Sequence, residues 1–139
     1  MGFFDWVVRI FSEYWRLFLE GTGYTVLMAL IGTVAGFIIG LIIAVIRTVP
    51  TEREKSPVKW GIMKVVNFIL SVYVEVIRGT PMMVQALIIH YSWFARIGMP
   101  ALLSAIIIIS VNTGAYMAEI VRGGIISIDK GQIEGAQSI

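Results

Sequence analysis

The chain has 139 residues, of which 58% are hydrophobic and only 14% are charged, and its mean hydropathy is +0.86. This composition excludes an ordinary soluble domain and predicts a chain embedded in lipid, with one membrane domain at most. The absence of cysteine excludes disulfides and thiolate chemistry, and a net charge of +2 is too small to indicate a nucleic-acid partner.

The N-terminal segment, residues 3–20, predicts an amphipathic helix. Its charged residues recur every three or four positions and therefore share one helix face, with Phe, Trp, Val and Leu between them. We interpret it as a helix lying in the membrane interface, where Trp6, Tyr14 and Trp15 would act as anchors. A soluble amphipathic helix is the alternative.

Residues 22–46 predict the first membrane span. These 25 residues carry no charge, and as a helix they would extend roughly 37 Å, enough to cross a hydrocarbon core of about 30 Å. Gly32, Gly36 and Gly40 recur at every fourth position, so one face would let a second helix approach closely. The following segment, 47–64, is rich in Arg and Lys, which marks the cytoplasmic side and leaves the N-terminus outside.

Residues 61–78 predict an amphipathic helix on the cytoplasmic side, because a polar stripe runs along them at three- and four-residue spacing. In the alternative, 61–78 also crosses the membrane and the chain reverses immediately afterwards, which would leave the C-terminus outside. The segment ends in a structural elbow, where we expect Thr80 to cap the next helix and Pro81 to lie in its first turn. The elbow comprises Glu75, Arg78, Gly79, Thr80 and Pro81.

Two further spans are predicted at residues 81–97 and 101–122, joined by a tight turn at Gly98-Met99-Pro100. Three crossings from an external N-terminus return the C-terminal residues to the cytoplasm. Gln85 and His90 interrupt the first of these spans, and we assign both a structural role. His90 has no second histidine or acidic residue at ligand spacing, so no metal site is predicted.

Polar residues of the last span are candidates for a substrate pathway. Asn112, Tyr116 and Glu119 are four and three residues apart and therefore share one helix face. A polar solute that crosses a bilayer needs such partners along a water-filled path. Hydrogen bonding to neighbouring helices is an equally good explanation. Glu119 and Arg122, like Glu75 and Arg78, have the spacing of a helical ion pair.

The C-terminal segment, residues 129–139, predicts the start of a short cytoplasmic helix. Asp129 is suited to its N-cap, and Gln132 follows at the position that completes a capping box.

The order of these motifs resembles the permease subunits of ATP-binding cassette (ABC) importers for polar amino acids, of the histidine, glutamine and arginine type. The motifs are Glu75-Val76-Ile77-Arg78-Gly79-Thr80-Pro81, the run from Asn112 to Ile125, Asp129-Lys130-Gly131-Gln132 and Glu134-Gly135-Ala136. The resemblance implies an all-α integral membrane bundle: three transmembrane helices of the type I importer core, with interfacial amphipathic helices. It also implies a multi-pass protein of the cell membrane. The family continues through two further spans, so we expect the chain to be C-terminally truncated.

The resemblance also implies partners and a coupling site. Gln132, Glu134, Gly135 and Ala136 would form a coupling helix that docks on a separate ATPase subunit, with Gly135 in place of the family's first Ala. The other implied partners are a second permease subunit, identical or different, an extracytoplasmic substrate-binding protein, an amino acid and membrane lipid. The chain itself has no Gly-x-x-x-x-Gly-Lys-Ser/Thr motif, so we expect no catalytic residue, cofactor or enzymatic activity in it. A small membrane channel or a helper subunit of another complex is the alternative function.

Overall fold

The structure is a computed structural model that describes residues 2–49, 56–129 and 131–132. Helices account for nearly all of this part of the chain: α1 (Phe3–Thr48), α2 (Pro57–Gly79), α3 (Met82–Ile89) and α4 (Ala101–Ile126). A π-helical turn, His90–Phe94, and a 3₁₀ turn, Ala95–Ile97, extend α3. By length and composition, α1, α2 and α4 are the described helices that could span a membrane. The predicted all-α membrane bundle is confirmed.

Helix α1 is continuous across the point where the sequence predicts a boundary between residues 3–20 and 22–46. Gly21 and Gly23 each weaken a helix by up to about 1 kcal/mol relative to Ala, but neither removes a backbone hydrogen bond as proline would. The prediction of two separate helices is therefore wrong. Residues 2–27 are exposed along their whole length.

Helices α1 and α4 pack side by side and run parallel. A Cβ atom added to Gly32 would meet Ile109, one added to Gly36 would lie 2.5 Å from the Thr113 Cβ, and one added to Gly40 would meet Met117. Each step of four residues along α1 matches a step of four along α4, so the two helices point the same way. The close approach predicted from the three glycines is confirmed, since all three are buried.

Helices α2 and α3 both run antiparallel to α4. In α2, Ser71 contacts Arg47, the partner of Glu119 on α4, and the hydroxyl of Tyr73, two residues later, donates a hydrogen bond to the Val111 carbonyl at 2.5 Å. Further along the chain, Gln85 contacts Asn112, and His90 Nδ1 lies 3.0 Å from the Ser104 hydroxyl near the start of α4. The residues of α4 that α3 contacts thus move toward the N-terminal end of α4 as the chain proceeds along α3. Together α2 and α3 form one broken return path between the parallel helices α1 and α4.

This arrangement differs from the predicted one, which gave the return crossing to residues 81–97 and placed 61–78 at the cytoplasmic surface. The three pieces from Met82 to Ile97 are 8, 5 and 3 residues long, which gives about 24 Å at 1.5 Å per residue, short of a bilayer core of about 30 Å. The reversal that the alternative needs at the elbow is also absent. The polar stripe misled the prediction because part of it faces α1 and α4: Ser71 contacts Arg47 of α1, and Arg78 lies over Tyr116 of α4.

The turn before α4 is as expected. Gly98 has a φ of 72°, the left-handed conformation that ends many helices, and its N–H donates to the Ala95 carbonyl at 3.1 Å. Pro100 then stands immediately before the first residue of α4.

Candidate polar pathway and coupling segment

The elbow between α2 and α3 is held by its own polar groups. The Thr80 hydroxyl donates back to the Val76 carbonyl at 2.8 Å, satisfying one of the carbonyls left free at the end of α2. The prediction that Thr80 caps the next helix is therefore wrong, since Pro81 occupies the N-cap of α3 and no side chain caps it. Gly79 is the last residue of α2.

Gln85 joins the elbow to α4. Its amide nitrogen lies 2.9 Å from the Ile77 carbonyl oxygen and 3.1 Å from that of Thr80, and it also reaches the Thr80 hydroxyl. Its amide oxygen accepts a hydrogen bond of 3.1 Å from Asn112 Nδ2. One side chain thus bridges the end of α2, the start of α3 and the middle of α4. The structural role expected for Gln85 is what the contacts indicate.

The predicted pathway residues lie on one side of α4 but have different surroundings. Asn112 is buried, at 8% exposure, against Gln85. Tyr116 is 44% exposed, and the guanidinium carbon of Arg78 lies 5.4 Å from the centre of its ring. The elbow and the polar face of α4 are therefore brought together, a proximity that no local spacing in the sequence could reveal.

Glu119 is the centre of an ion-pair cluster near the C-terminal ends of α1 and α4. One carboxylate oxygen pairs with Arg47 of α1, and the other accepts from Arg122 at 3.2 Å. Arg47 also donates to the Ser71 hydroxyl of α2 at 3.1 Å. The cluster links three helices, and sequence analysis missed Arg47 because its partner is 72 residues away.

The two Glu-x-x-Arg motifs behave differently. Glu119 and Arg122 form the expected pair, whereas Glu75 and Arg78 form no hydrogen bond or ion pair with any residue that the structure describes. The Arg78 guanidinium lies over Tyr116 instead.

The C-terminal segment that is the candidate for coupling, residues 129–139, is described only at Asp129, Gly131 and Gln132. Asp129 Oδ1 accepts a hydrogen bond of 2.7 Å from the Gly131 N–H, and the Asp129 carbonyl accepts one of 3.1 Å from the Gln132 N–H. These are the contacts of a helix N-cap. Glu134, Gly135 and Ala136 lie outside the described residues. Among those that are described, no three His, Asp or Glu side chains converge to hold a metal ion.

Helices of spanning length and a broken return crossing with polar residues beside the break are features of multi-pass helical membrane proteins. The chain belongs to the family described as the binding-protein-dependent transport system inner membrane component, which matches residues 60–139.

Relatives with known roles agree with this assignment. The chain is 36% identical over 129 residues to the L-cystine transport system permease protein TcyB of Bacillus subtilis, covering 92% of this chain and 50% of the relative. It is 34% identical over 134 residues to the glutamine transport system permease protein GlnP of Escherichia coli K12, covering 92% and 53%. The chain spans about half the length of the curated relatives it matches.

A solved structure gives the same result. The chain is similar to a protein in the "Crystal structure of an amino acid ABC transporter with histidines", with a TM-score of 0.74 and 32% sequence identity. The match covers 99% of this chain and 57% of that one. The resemblance to amino acid ABC permeases that the motifs predict is confirmed.

Proposed function

We propose that this chain forms the front part of the membrane-spanning permease subunit of an ATP-driven importer for polar amino acids. The observation that carries the proposal is the broken return crossing, which contacts the polar face of α4 through Gln85 at Asn112 and through Arg78 at Tyr116. Helices interrupted inside a transporter bundle expose backbone and polar side chains to a solute path. The relatives named for L-cystine and glutamine transport support an amino acid as the solute.

The transport pathway would run along the side of α4 that carries Asn112 and Tyr116. Tyr116 is the more accessible of the two, whereas Asn112 is largely occupied by Gln85. Glu119, which the sequence also suggests for the pathway, is engaged by two arginines. We assign it a role in holding the helices at the end of α4 from which the coupling segment leaves.

The proposed assembly contains a separate ATPase, which would hydrolyse ATP, a second permease subunit and an extracytoplasmic binding protein. The family description, a binding-protein-dependent transport system, supports the last of these. In this assembly Gln132, Glu134, Gly135 and Ala136 would form the coupling helix on the ATPase. Because α1 and α4 are parallel, the coupling segment after α4 would lie on the same side as the basic residues after α1. The basic residues mark the cytoplasmic side, which supports a cytoplasmic coupling segment and an external N-terminus.

The test is charge reversal in the coupling segment. The permease that contains this chain is assembled with its ATPase and binding protein in proteoliposomes, and ATP-dependent uptake of radiolabelled L-glutamine and L-cystine is measured. We expect Glu134→Arg to abolish ATP-dependent uptake while the permease still inserts into the membrane. Glu13→Arg, on the exposed N-terminal part of α1, is the matched control and should transport normally. A channel or helper subunit would be indifferent to Glu134→Arg, and that result would refute the proposed coupling.

A further inference from the structure

Two opposite charges on α2 stand side by side without neutralising each other. Glu75 and Arg78 are one helical turn apart and both are exposed. Within residues 2–49, 56–129 and 131–132, neither side chain has a hydrogen bond or an ion pair. Among the described residues, their one polar interaction is that of the Arg78 guanidinium with the Tyr116 ring. The cluster at Glu119 shows that this chain pairs charges where pairing is structural.

The position of Tyr116 gives the depth of these charges. Helix α4 has 26 residues, from Ala101 to Ile126, and Tyr116 lies between two and three residues past its midpoint. At a rise of 1.5 Å per residue, this is about 4 Å from the centre of the helix. If α4 crosses the bilayer, Arg78 therefore lies near mid-depth, beside the break between α2 and α3.

A charged group at this depth does not face hydrocarbon. Arginine at the centre of a lone membrane helix costs about 3 kcal/mol or more, and such residues face a bundle interior or a water-filled cavity. The exposed side of Glu75, Arg78 and Tyr116 is therefore a polar surface inside the membrane. Such a surface fits an occupant that carries both signs of charge.

We propose that Arg78 binds the α-carboxylate of the transported amino acid and that Glu75 binds its α-ammonium group. The inference rests on the proposed function and names the residues that would recognise the substrate backbone. An amino acid carries its two charges on adjacent bonds of one carbon, and Glu75 and Arg78 present opposite charges from neighbouring positions of one helix face. A guanidinium binds a carboxylate through two parallel hydrogen bonds in one plane.

Tyr116 acts as a positioning residue for Arg78. Its ring lies against the guanidinium, an interaction that favours the charged group over the ring face. Arg78 donates no hydrogen bond to another described residue, so its N–H groups remain available for a carboxylate. The side chain of the amino acid would point away from this pair, so the pair recognises the part that all amino acids share.

The experiment measures binding to the purified permease–ATPase complex without the binding protein, which would otherwise set the apparent affinity. The probes are L-glutamine, L-histidine, L-arginine and L-cystine, each compared with its α-carboxamide. The variants are Arg78→Gln and the charge-conserving Arg78→Lys. Arg96→Gln, an exposed arginine in the turn before α4, is the matched control. Basal ATPase activity and elution volume report on assembly.

We expect Arg78→Gln to weaken binding of the amino acid by about 10- to 100-fold, the effect of losing a charge-assisted hydrogen bond. It should leave binding of the carboxamide unchanged, so that the variant no longer prefers the acid. Arg78→Lys should weaken binding less, and Arg96→Gln should match the parent. Equal loss of both ligands in an Arg78→Gln complex that still assembles would overturn the inference.

Other outcomes separate the inference from the proposed function. Suppose that the parent complex imports an amino acid and that Arg78→Gln still binds the acid more tightly than the carboxamide. This result would refute the role of Arg78 and leave the proposed function intact. The role of Arg78 would also be refuted if the parent complex imports an amino acid that does not bind to the permease–ATPase complex. If Arg78→Gln instead dissociates the two permease subunits, the charge pairs with a second copy and the inference is wrong. A parent assembly that imports none of the four amino acids would overturn both.

Discussion

At the residue scale, few polar side chains lie inside the described bundle, and each of the principal ones joins two or three helices. Gln85 links α2, α3 and α4, and Glu119 with Arg47 and Ser71 links α1, α2 and α4. In hydrocarbon, no water replaces a broken contact, so such side chains determine how the helices are arranged.

Replacing Gln85 tests the first of these links. Gln85→Leu leaves the Ile77 carbonyl and the Asn112 amide without a partner, and we expect a loss of about 1–3 kcal/mol in unfolding free energy. The measurement is the thermal unfolding of the purified permease in detergent. Gln85→Leu combined with Asn112→Leu should cost less than the sum of the single variants, because the second change removes the orphaned amide. Additive losses would show that the two side chains do not interact.

Glu119 and Arg122 form a matched pair for testing the second link. Glu119→Gln leaves the half-buried Arg47 without its counter-charge, and we expect a loss of about 1.5–3 kcal/mol, typical of a hydrogen bond to a charged group. Arg122→Gln removes only a partner on the same helix, worth about 0.2–0.5 kcal/mol. Urea or thermal unfolding of the two variants should therefore differ clearly. Equal losses would mean that Arg47 does not depend on Glu119.

Spacing alone predicted part of this site. Asn112, Tyr116 and Glu119 do share one side of α4, as a helical period requires. Their partners Gln85 and Arg47 lie 27 and 72 residues away, and no local pattern determines which distant side chains meet. The identity of each partner therefore came only from the fold.

At the element scale, the glycine face of α1 determines the closest contact in the bundle. A Cβ on Gly36 would lie 2.5 Å from the Thr113 Cβ and 3.1 Å from the Gly114 nitrogen, so the helices would have to separate. This contact was predictable because glycine at every fourth residue forms one smooth stripe. The broken return crossing was not predictable, because a polar stripe in the sequence looks the same whether it faces water or another helix.

The glycine contact can be tested with one methyl group. We expect Gly36→Ala to lower the unfolding free energy of the permease by about 1–3 kcal/mol, because overpacked contacts must shift. Gly23→Ala, on the same helix with nothing within 4 Å of the added carbon, is the control. It should be neutral or stabilising by up to about 1 kcal/mol, since Ala favours helix more than Gly. Similar behaviour of the two variants would contradict the close packing of α1 and α4.

At the scale of the whole molecule, the helices form a parallel pair, α1 and α4, with an antiparallel return of two pieces between them. The sequence correctly predicted an all-helical membrane protein, because hydrophobic run lengths depend directly on bilayer thickness. It misassigned the return crossing, because run length cannot distinguish one broken crossing from two separate segments.

The proposed orientation can be tested because this chain contains no cysteine. Single cysteines are placed at Ser12 and at Asp129 in a full permease that is otherwise cysteine-free. We expect Ser12→Cys in intact cells to react with a membrane-impermeant maleimide, and Asp129→Cys to react only after the membrane is permeabilised. The reverse pattern would place the coupling segment outside and exclude contact with a cytoplasmic ATPase.

The parallel arrangement of α1 and α4 also limits the order in which the helices can pair during synthesis. Neighbouring helices that run antiparallel can pair as a hairpin as soon as both have emerged, but parallel helices need an intervening crossing. The glycine stripe of α1 and the charge of Arg47 therefore have no partner on α4 until the return crossing and α4 have been inserted. For that interval α1 depends on the insertion machinery or lipid for its neighbours, and a delay before α4 would expose it to wrong partners.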